Sequence, residues 1–330
     1  MKLATFKNGQ RDGLLLVVAR DQRHAVLAEP YATLQQALEH WAEAEPVLRA
    51  QYQALNANDA QGRFAFDPAQ VAAPLPRAYQ WCDGSAFLNH AHLMQQAFKL
   101  PPLANEAIPL MYQGAGDDFL GPCDDVPLPD ESHGIDFEGE FAVIVGEVPM
   151  GCPASEALQH VRLVMLVNDV SLRGFLQHEV STGFGFFNAK PSSSFSPLAV
   201  TPEALGDAWR DGRVCLPLRV TWNEQRFGQP NGAEMTFSFA DLIAHAARTR
   251  RLRAGTIIGS GTVSNLARGA GSACISERRA IEMIEHGEAR TAFMRFGDRI
   301  RIEALDAQGD SVFGAIDQRI VAATAQGARP

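Results

Sequence analysis

The segment Asp136-Phe137-Glu138-Gly139-Glu140 runs straight into the apolar stretch Phe141-Ala142-Val143-Ile144-Val145 and sets three acidic residues at its mouth. Such an apolar run reads as a buried β-strand, and side chains along a strand alternate faces. Glu138 and Glu140 therefore point the same way, with Cα atoms roughly 6.5–7 Å apart. Two like charges so placed repel unless something cationic sits between them. A strand that merely begins in solvent would also carry acids at its start, so carboxylates elsewhere must decide. Asp136 falls on the same face but two residues further from the apolar run, and reads as a supporting or solvent group rather than a ligand.

Asp169 closes a second apolar run, Val161-Arg-Leu-Val-Met-Leu-Val167-Asn168-Asp169. A bare carboxylate at the end of a strand buried on both faces is expensive and needs a partner; the alternative is that it caps a helix opening at Val170-Ser171-Leu172-Arg173. Asp83, in Trp81-Cys82-Asp83-Gly84-Ser85, stands before a helical pattern that it could likewise cap. Together Asp83, Glu138, Glu140 and Asp169 make an all-oxygen set with no Cys and no paired His nearby. Such a set selects Mg²⁺, Mn²⁺ or Ca²⁺ over zinc or copper, and the ion would serve as Lewis acid and orienting template. His90 follows Asp83 by seven residues and His92 by nine. Two turns of helix would make Asp83 and His90 neighbours on one face and turn His92 away. A histidine beside a metal-bound substrate is the natural general base at neutral pH.

These groups sit in a chain of 330 residues, 20% charged and 46% hydrophobic, which can bury a large globular core. A formal charge of −9 and a pI near 5.5 argue against nucleic acid or an anionic membrane as the main partner. The five cysteines, Cys82, Cys123, Cys152, Cys215 and Cys274, are scattered and never form a Cys-x-x-Cys pair, and so read as free thiols in a reducing compartment. Met1-Lys2 is followed by no adequate apolar leader, and no apolar run is long enough to span a bilayer. The expected location is the cytoplasm.

Two extended segments, Lys2–Phe6 and Leu14–Ala19, flank the Asn8-Gly9 turn signal, with a third strand at His24–Leu27. Thr33 is the expected N-cap of a helix carrying Leu34, Ala37, Leu38, Trp41 and Ala42 on one face; Pro46 is expected to interrupt it before a second piece from Val47 to Leu55. The proline-rich stretch from Phe66-Asp67-Pro68 to Pro74-Leu75-Pro76 reads as a linker, dividing a small N-terminal α/β unit over 1–75 from a larger unit over 76–330. Expected strands in the latter are Phe141–Gly146, Val161–Val170, Leu216–Trp222, Thr256–Ile258 and Arg299–Leu305; expected helices are Ala86–Phe98, Ser155–Gln159 and Phe239–Thr249. The class is α+β, predominantly β.

The combination Asp83…His90, Tyr112-Gln-Gly, Asp136-Phe-Glu138-x-Glu140, Asn168-Asp169-Val-Ser171-x-Arg173, Lys190-Pro…Phe195-Ser-Pro197 and Gly259-Ser260-Gly261-Thr262-Val263-Ser264 resembles the fumarylacetoacetate hydrolase family in order and approximate spacing. The small mixed N-terminal region resembles that of the fumarylacetoacetases proper. The resemblance implies a mixed β-sandwich roll, in which Asp83, Glu138, Glu140 and Asp169 hold Mg²⁺ or Ca²⁺ and the oxygens of a 1,3-diketone complete the ion's shell. It implies His90 as base, paired with a glutamate beyond the Gly-Thr-x-Ser loop, with Glu277 the nearest candidate and Glu282 the fallback. Lys190, Arg173 and, at a one-residue offset, Gln177 would stabilise the leaving carbanion. Tyr112 and Thr262 would contact substrate.

Two positions depart from the family's pattern and bear on the acyl chain. Lys99 stands where the better-known members have an arginine, keeping the charge but losing the bidentate fork, and Ser85 stands where they have a tyrosine. The expected reaction is hydrolysis of fumarylacetoacetate to fumarate and acetoacetate, in tyrosine and phenylalanine breakdown, by a homodimer. The alternatives are another activity of the superfamily, namely acylpyruvate hydrolysis, oxaloacetate decarboxylation or isomerisation in a meta-cleavage route. A non-enzymatic Ca²⁺-binding module would leave the His–Lys–Arg group without purpose. The run Gly183 to Lys190 has the glycines of a phosphate loop, but Ala189 and Pro191 break the Gly-Lys-Ser/Thr pattern.

Overall fold

The computed structural model describes residues 1–99 and 105–323. At its centre the strands Gly139–Val145 and Val161–Asn168 pair antiparallel, with Gly139 opposite Asn168 and Glu140 opposite Val167. Phe141, Val143 and Val145 enter one apolar cluster with Val164 and Leu166, while Ala142 and Ile144 enter another with Leu163, Met165 and Val167. A strand buried on both faces must be apolar throughout, which is why these two are legible as continuous runs.

Around them lies a 12-stranded sheet. Its path is Phe64–Ala65, His24–Leu27, Leu14–Val18, Lys2–Phe6, Ala199–Val200, Val161–Asn168, Gly139–Val145, Thr256–Gly259, Trp81–Ser85 and Leu110–Gly114, with Val71–Ala72 and Ser194–Phe195 pairing alongside. The helices Leu34–Glu39 and Trp41–Asn56 bury Leu34, Ala37, Leu38, Ala44, Leu48 and Leu55 in one cluster. A five-stranded sheet, ordered Gln225–Gly228, Leu218–Trp222, Arg299–Ala304, Ile316–Ala322 and Val126–Leu128, delivers Leu218, Val220, Ile300, Ile302 and Ile316 to the other. The class is mixed α+β, mostly sheet.

Several local expectations are corrected. The helix Trp41–Asn56 passes through Pro46 and the break falls at His40 (φ −119°, ψ 33°), because burial of Ala44, Leu48 and Leu55 outweighs the one hydrogen bond that proline removes. The stretch expected as a linker is packed: Val71–Ala72 pairs with Lys2–Phe6, and Ala73 and Leu75 are buried. Lys2–Phe6 also pairs with Ala199–Val200, which satisfies a strand edge that would otherwise be open. The helix Ile275–His286 and the strands Trp81–Ser85 and Ile316–Ala322 were not expected. In the helix a buried Glu277 interrupts the apolar face, and in Trp81–Ser85 a buried Asp83 and Gly84 replace the usual β-formers. All five cysteines are free thiols, and no helix among the described residues is long and apolar enough to cross a membrane.

One glycine sets how closely two site-bearing strands approach. Thr256–Gly259 runs parallel to Trp81–Ser85 with Gly259 opposite Asp83, and a Cβ at 259 would collide with Asp83 Oδ1 and the Trp81 ring. Gly259→Ala is expected to cost about 1–3 kcal/mol of stability through this overpacking. Urea unfolding checks it, and an unchanged midpoint would show that the strands have room to separate.

Candidate metal centre

The four acids of the proposed set arrive on three pieces of backbone. Asp83 is in the middle of Trp81–Ser85, Glu140 is the second residue of Gly139–Val145, Glu138 immediately precedes that strand, and Asp169 immediately follows Val161–Asn168. The pairing of the central strands brings them together: one carboxylate oxygen from each of the four lies within 4.8 Å of the others, and all four residues are buried. Asp83 is therefore a strand residue and caps nothing. His90 reaches the site from a separate helix, Leu88–Phe98, so the two-turn relation expected between Asp83 and His90 is replaced by a strand-to-helix junction.

The cluster carries too much negative charge for its surroundings. Lys190 Nζ, itself buried, donates to Asp169 Oδ2 at 2.6 Å and to Glu138 Oε2 at 3.0 Å. Arg173 donates from Nη2 to Glu138 Oε1 at 2.6 Å and from Nε to Asp136 Oδ2 at 2.8 Å. Asp169 also accepts from Tyr112 Oη at 2.5 Å and Ser193 Oγ at 2.7 Å, Glu138 from Ser171 Oγ at 3.2 Å, and Asp83 from the Gly261 N–H at 3.2 Å. Both oxygens of Glu140 are buried with no hydrogen-bond partner. A carboxylate left in that state is costly, and a hard cation is the group that would satisfy it. The residues present thus fit a divalent ion, with Asp83, Glu138, Glu140 and Asp169 as its holders.

The titration behaviour follows from the same geometry. Burial, then Asp169, pushes Asp83 well above the usual carboxylate range; burial, then Asp83 and Asp169, does the same to Glu140. Burial also pushes Glu138 upward, but Lys190 and Arg173 together outweigh it and hold that carboxyl below its ordinary value. Burial of Tyr112, reinforced by Asp169, raises its phenol.

Beside the cluster, His90 Nδ1 lies 2.8 Å from Glu277 Oε2, and the Glu277 side chain is 1% exposed. With Nδ1 donating to that carboxylate, Nε2 is left as the acceptor. Glu282 is elsewhere: it accepts from the Arg290 and Thr291 N–H groups and the Thr291 hydroxyl. His92 is exposed and contacts Glu106. Asp136 is buried rather than solvent-facing, and accepts from the N–H groups of Ile275 at 2.7 Å and Ser276 at 2.9 Å as well as from Arg173. It fastens the first turn of the helix that carries Glu277. Ser193 was missed because Ser192-Ser193-Ser194 carries no pattern that singles out its middle hydroxyl.

Thr262 is buried in the loop after Thr256–Gly259, and Ser85 is half-buried at the end of the strand that carries Asp83. Lys99 is exposed in left-handed backbone (φ 52°) at the end of the His90 helix, adjoining residues outside the described set, and Gln177 is exposed on the helix Arg173–Thr182.

A family model described as fumarylacetoacetate (FAA) hydrolase C-terminal matches residues 80–321, and one described as fumarylacetoacetase N-terminal domain 2 matches residues 1–77. The chain belongs to the fumarylacetoacetate hydrolase family. Within that family it is 32% identical over 164 residues to a 2,4-didehydro-3-deoxy-L-rhamnonate hydrolase of Sphingomonas, covering 49% of this chain and 55% of that relative. It is 26% identical over 218 residues to an oxaloacetate tautomerase of Bacillus subtilis, covering 64% of this chain and 68% of the relative, and 29% identical over 157 residues to a human mitochondrial oxaloacetate tautomerase, covering 47% and 48%. The chain thus spans about half the length of two of these relatives. By name, relatives of this family are hydrolases and tautomerases. The fold matches that of a maleylpyruvate hydrolase from Sphingobium, solved with manganese(II) and pyruvate, with TM-score 0.65 at 19% identity over 98% of this chain and all of that one (100%).

Because Asp83 and Glu140 hold protons more tightly than ordinary carboxyls, a divalent ion must displace those protons to bind. A folded-state carboxyl raised above its unfolded value makes the metal-free protein lose stability as pH rises between the two values, and bound metal removes that loss. The rise in Tm on adding Mn²⁺ or Mg²⁺ is therefore expected to grow from about pH 5 to about pH 8. A shift that is absent, or that shrinks with rising pH, would contradict the assignment.

Proposed function

We propose that the chain is a divalent-cation-dependent hydrolase that cleaves a carbon–carbon bond of a small 1,3-diketo acid, with fumarylacetoacetate the first candidate and acylpyruvates the next. The observation that carries this reading is the His90–Glu277 pair, at 2.8 Å, beside a buried cluster of four carboxylates. A cation held by Asp83, Glu138, Glu140 and Asp169 would supply Lewis-acid polarisation of a substrate carbonyl.

The chain's own residues do the proton chemistry. Glu277, nearly inaccessible to solvent, would hold the proton of His90 on Nδ1 and orient Nε2 to take a proton from water. The hydroxide so produced attacks the carbonyl carbon, and collapse of the tetrahedral adduct breaks the carbon–carbon bond and expels an enolate. Lys190 gives two of its three N–H bonds to Asp169 and Glu138, and the third would offset the charge of that leaving group. Arg173 has Nε and Nη2 committed to Asp136 and Glu138, so we assign it to orienting Glu138. Ser85, Thr262, Lys99 and Gln177 would contact the acyl chain and the carboxylates of the substrate. Assembly as a homodimer completes the proposal.

The similarity to oxaloacetate tautomerases supports a second reading, in which the same pair moves a proton between carbon and oxygen with no bond to carbon broken. Side-by-side assays separate the two: loss of fumarylacetoacetate or acylpyruvate absorbance with stoichiometric acid products, against decay of enol-oxaloacetate absorbance without them. On the hydrolase reading, His90→Ala and Glu277→Gln lower kcat by about 10²- to 10⁴-fold and leave metal affinity within a few-fold of the parent. Hydrolysis at the parent rate in His90→Ala would sink the mechanism.

A further inference from the structure

Lys190 owes its position to a loop that apolar burial holds only in part, at Phe186 and Ala189. Residues 183–189 precede it, and there Phe184 is 98% exposed and Phe187 is 85% exposed. Gly183 and Gly185 have positive φ, 73° and 96°, and a side chain at either would meet nothing within 4 Å. Two of the loop's large apolar groups therefore fix nothing, although Phe186 packs edge-on against Tyr112 at 5.0 Å. Yet the next residue but two after Phe187 is a buried lysine whose ammonium must fall between Glu138 and Asp169.

The holding group is Glu179. Its carboxylate is buried, with the residue 7% exposed, and three successive backbone N–H groups converge on it: Phe187 at 2.9 Å, Asn188 at 2.7 Å and Ala189 at 3.2 Å. Such a concave run of amides is a ready site for an anion, and charge-assisted bonds of this kind are stronger than neutral ones. Glu179 belongs to the helix Arg173–Thr182, whose first residue binds Glu138 and Asp136, so one rigid element grips the carboxylate cluster at one end and the Lys190 loop near the other. A further bond, from Leu172 N–H to the Ala189 carbonyl at 2.8 Å, ties the loop to the start of that helix. Nothing in the sequence marked Glu179, because its three partners are all backbone.

We propose that Glu179 is a positioning residue that acts through Lys190: by clamping the amides of residues 187–189 it sets the ammonium against Glu138 and Asp169, where it faces substrate. The kinetic expectation below rests on the role proposed for Lys190; the labelling expectation does not.

The chain has four lysines, Lys2, Lys7, Lys99 and Lys190, so acetylation of the metal-free protein by an N-hydroxysuccinimide ester can be followed at each by peptide mass spectrometry. In the parent, exposed Lys99 reacts readily and Lys190 is protected. Glu179→Ala is expected to speed acetylation of Lys190 at least about tenfold while Lys99 is unaffected, and to lower kcat by about 10- to 100-fold with KM little changed, the size expected when a reacting group is misplaced by about an ångström. Glu179→Gln keeps one acceptor oxygen but turns an NH₂ group toward a backbone N–H, so it is expected to show both effects in smaller degree, and it carries the test if the alanine variant does not fold. Parent-like protection of Lys190 in a folded Glu179→Ala, or in Glu179→Gln if only that folds, with kcat unchanged, overturns the clamp. Full activity in Lys190→Ala would instead remove the catalytic role of the lysine and leave the labelling result to decide the clamp.

Discussion

Four carboxylates buried within 4.8 Å of one another cannot all be ionised without positive charge among them. At an effective dielectric of about 20, each pair at that separation repels by roughly 3 kcal/mol, before any cost of burial. Lys190 and Arg173 answer part of this, and they answer it unevenly. They hold Glu138 ionised but leave Asp83 and Glu140 favouring protons, with both Glu140 oxygens unpartnered. A divalent cation fills that deficit, and the same cation is what a dicarbonyl substrate would chelate.

The positions of the other groups follow from this centre. Asp136 links Arg173, which touches Glu138, to the N-terminus of the helix Ile275–His286, and Glu277 on that helix's first turn meets His90. The metal cluster and the proton-transferring pair are therefore joined through one buried carboxylate. A helix N-terminus favours a negative charge, and here Asp136, distant in sequence, adds to the first-turn carboxylate of Glu277 and the local Cys274 cap. On the opposite flank the helix Arg173–Thr182 joins the cluster to the loop of Lys190.

Much of this was legible in the sequence and some was not, for physical reasons. The central strands could be read because burial on both faces demands unbroken apolar runs, and Glu138, Glu140 and Asp169 could be placed because they stand at the ends of those runs. Asp83 was recognisable by type and by its resemblance to a family pattern, yet its strand was hidden, since Trp81-Cys-Asp-Gly-Ser has neither alternation nor β-branched residues. The sequence favours Glu277 over Glu282 as the partner of His90 only by spacing, because their helix buries an acid in its apolar face, which blurs the 3.6-residue period. Asp136 is legible as a supporting group although its partners are not, whereas Ser193 and Glu179 do their work through backbone amides or contacts between distant segments, which leave no local signature.

The central claim is that a hard divalent ion binds where the four carboxylates converge. Anomalous diffraction from crystals grown or soaked with Mn²⁺ locates the metal without reference to any activity. The account predicts a single strong peak bounded by Asp83, Glu138, Glu140 and Asp169, lost in Glu140→Gln. Manganese bound elsewhere, or none bound at this cluster while the crystals diffract as the parent, would contradict it.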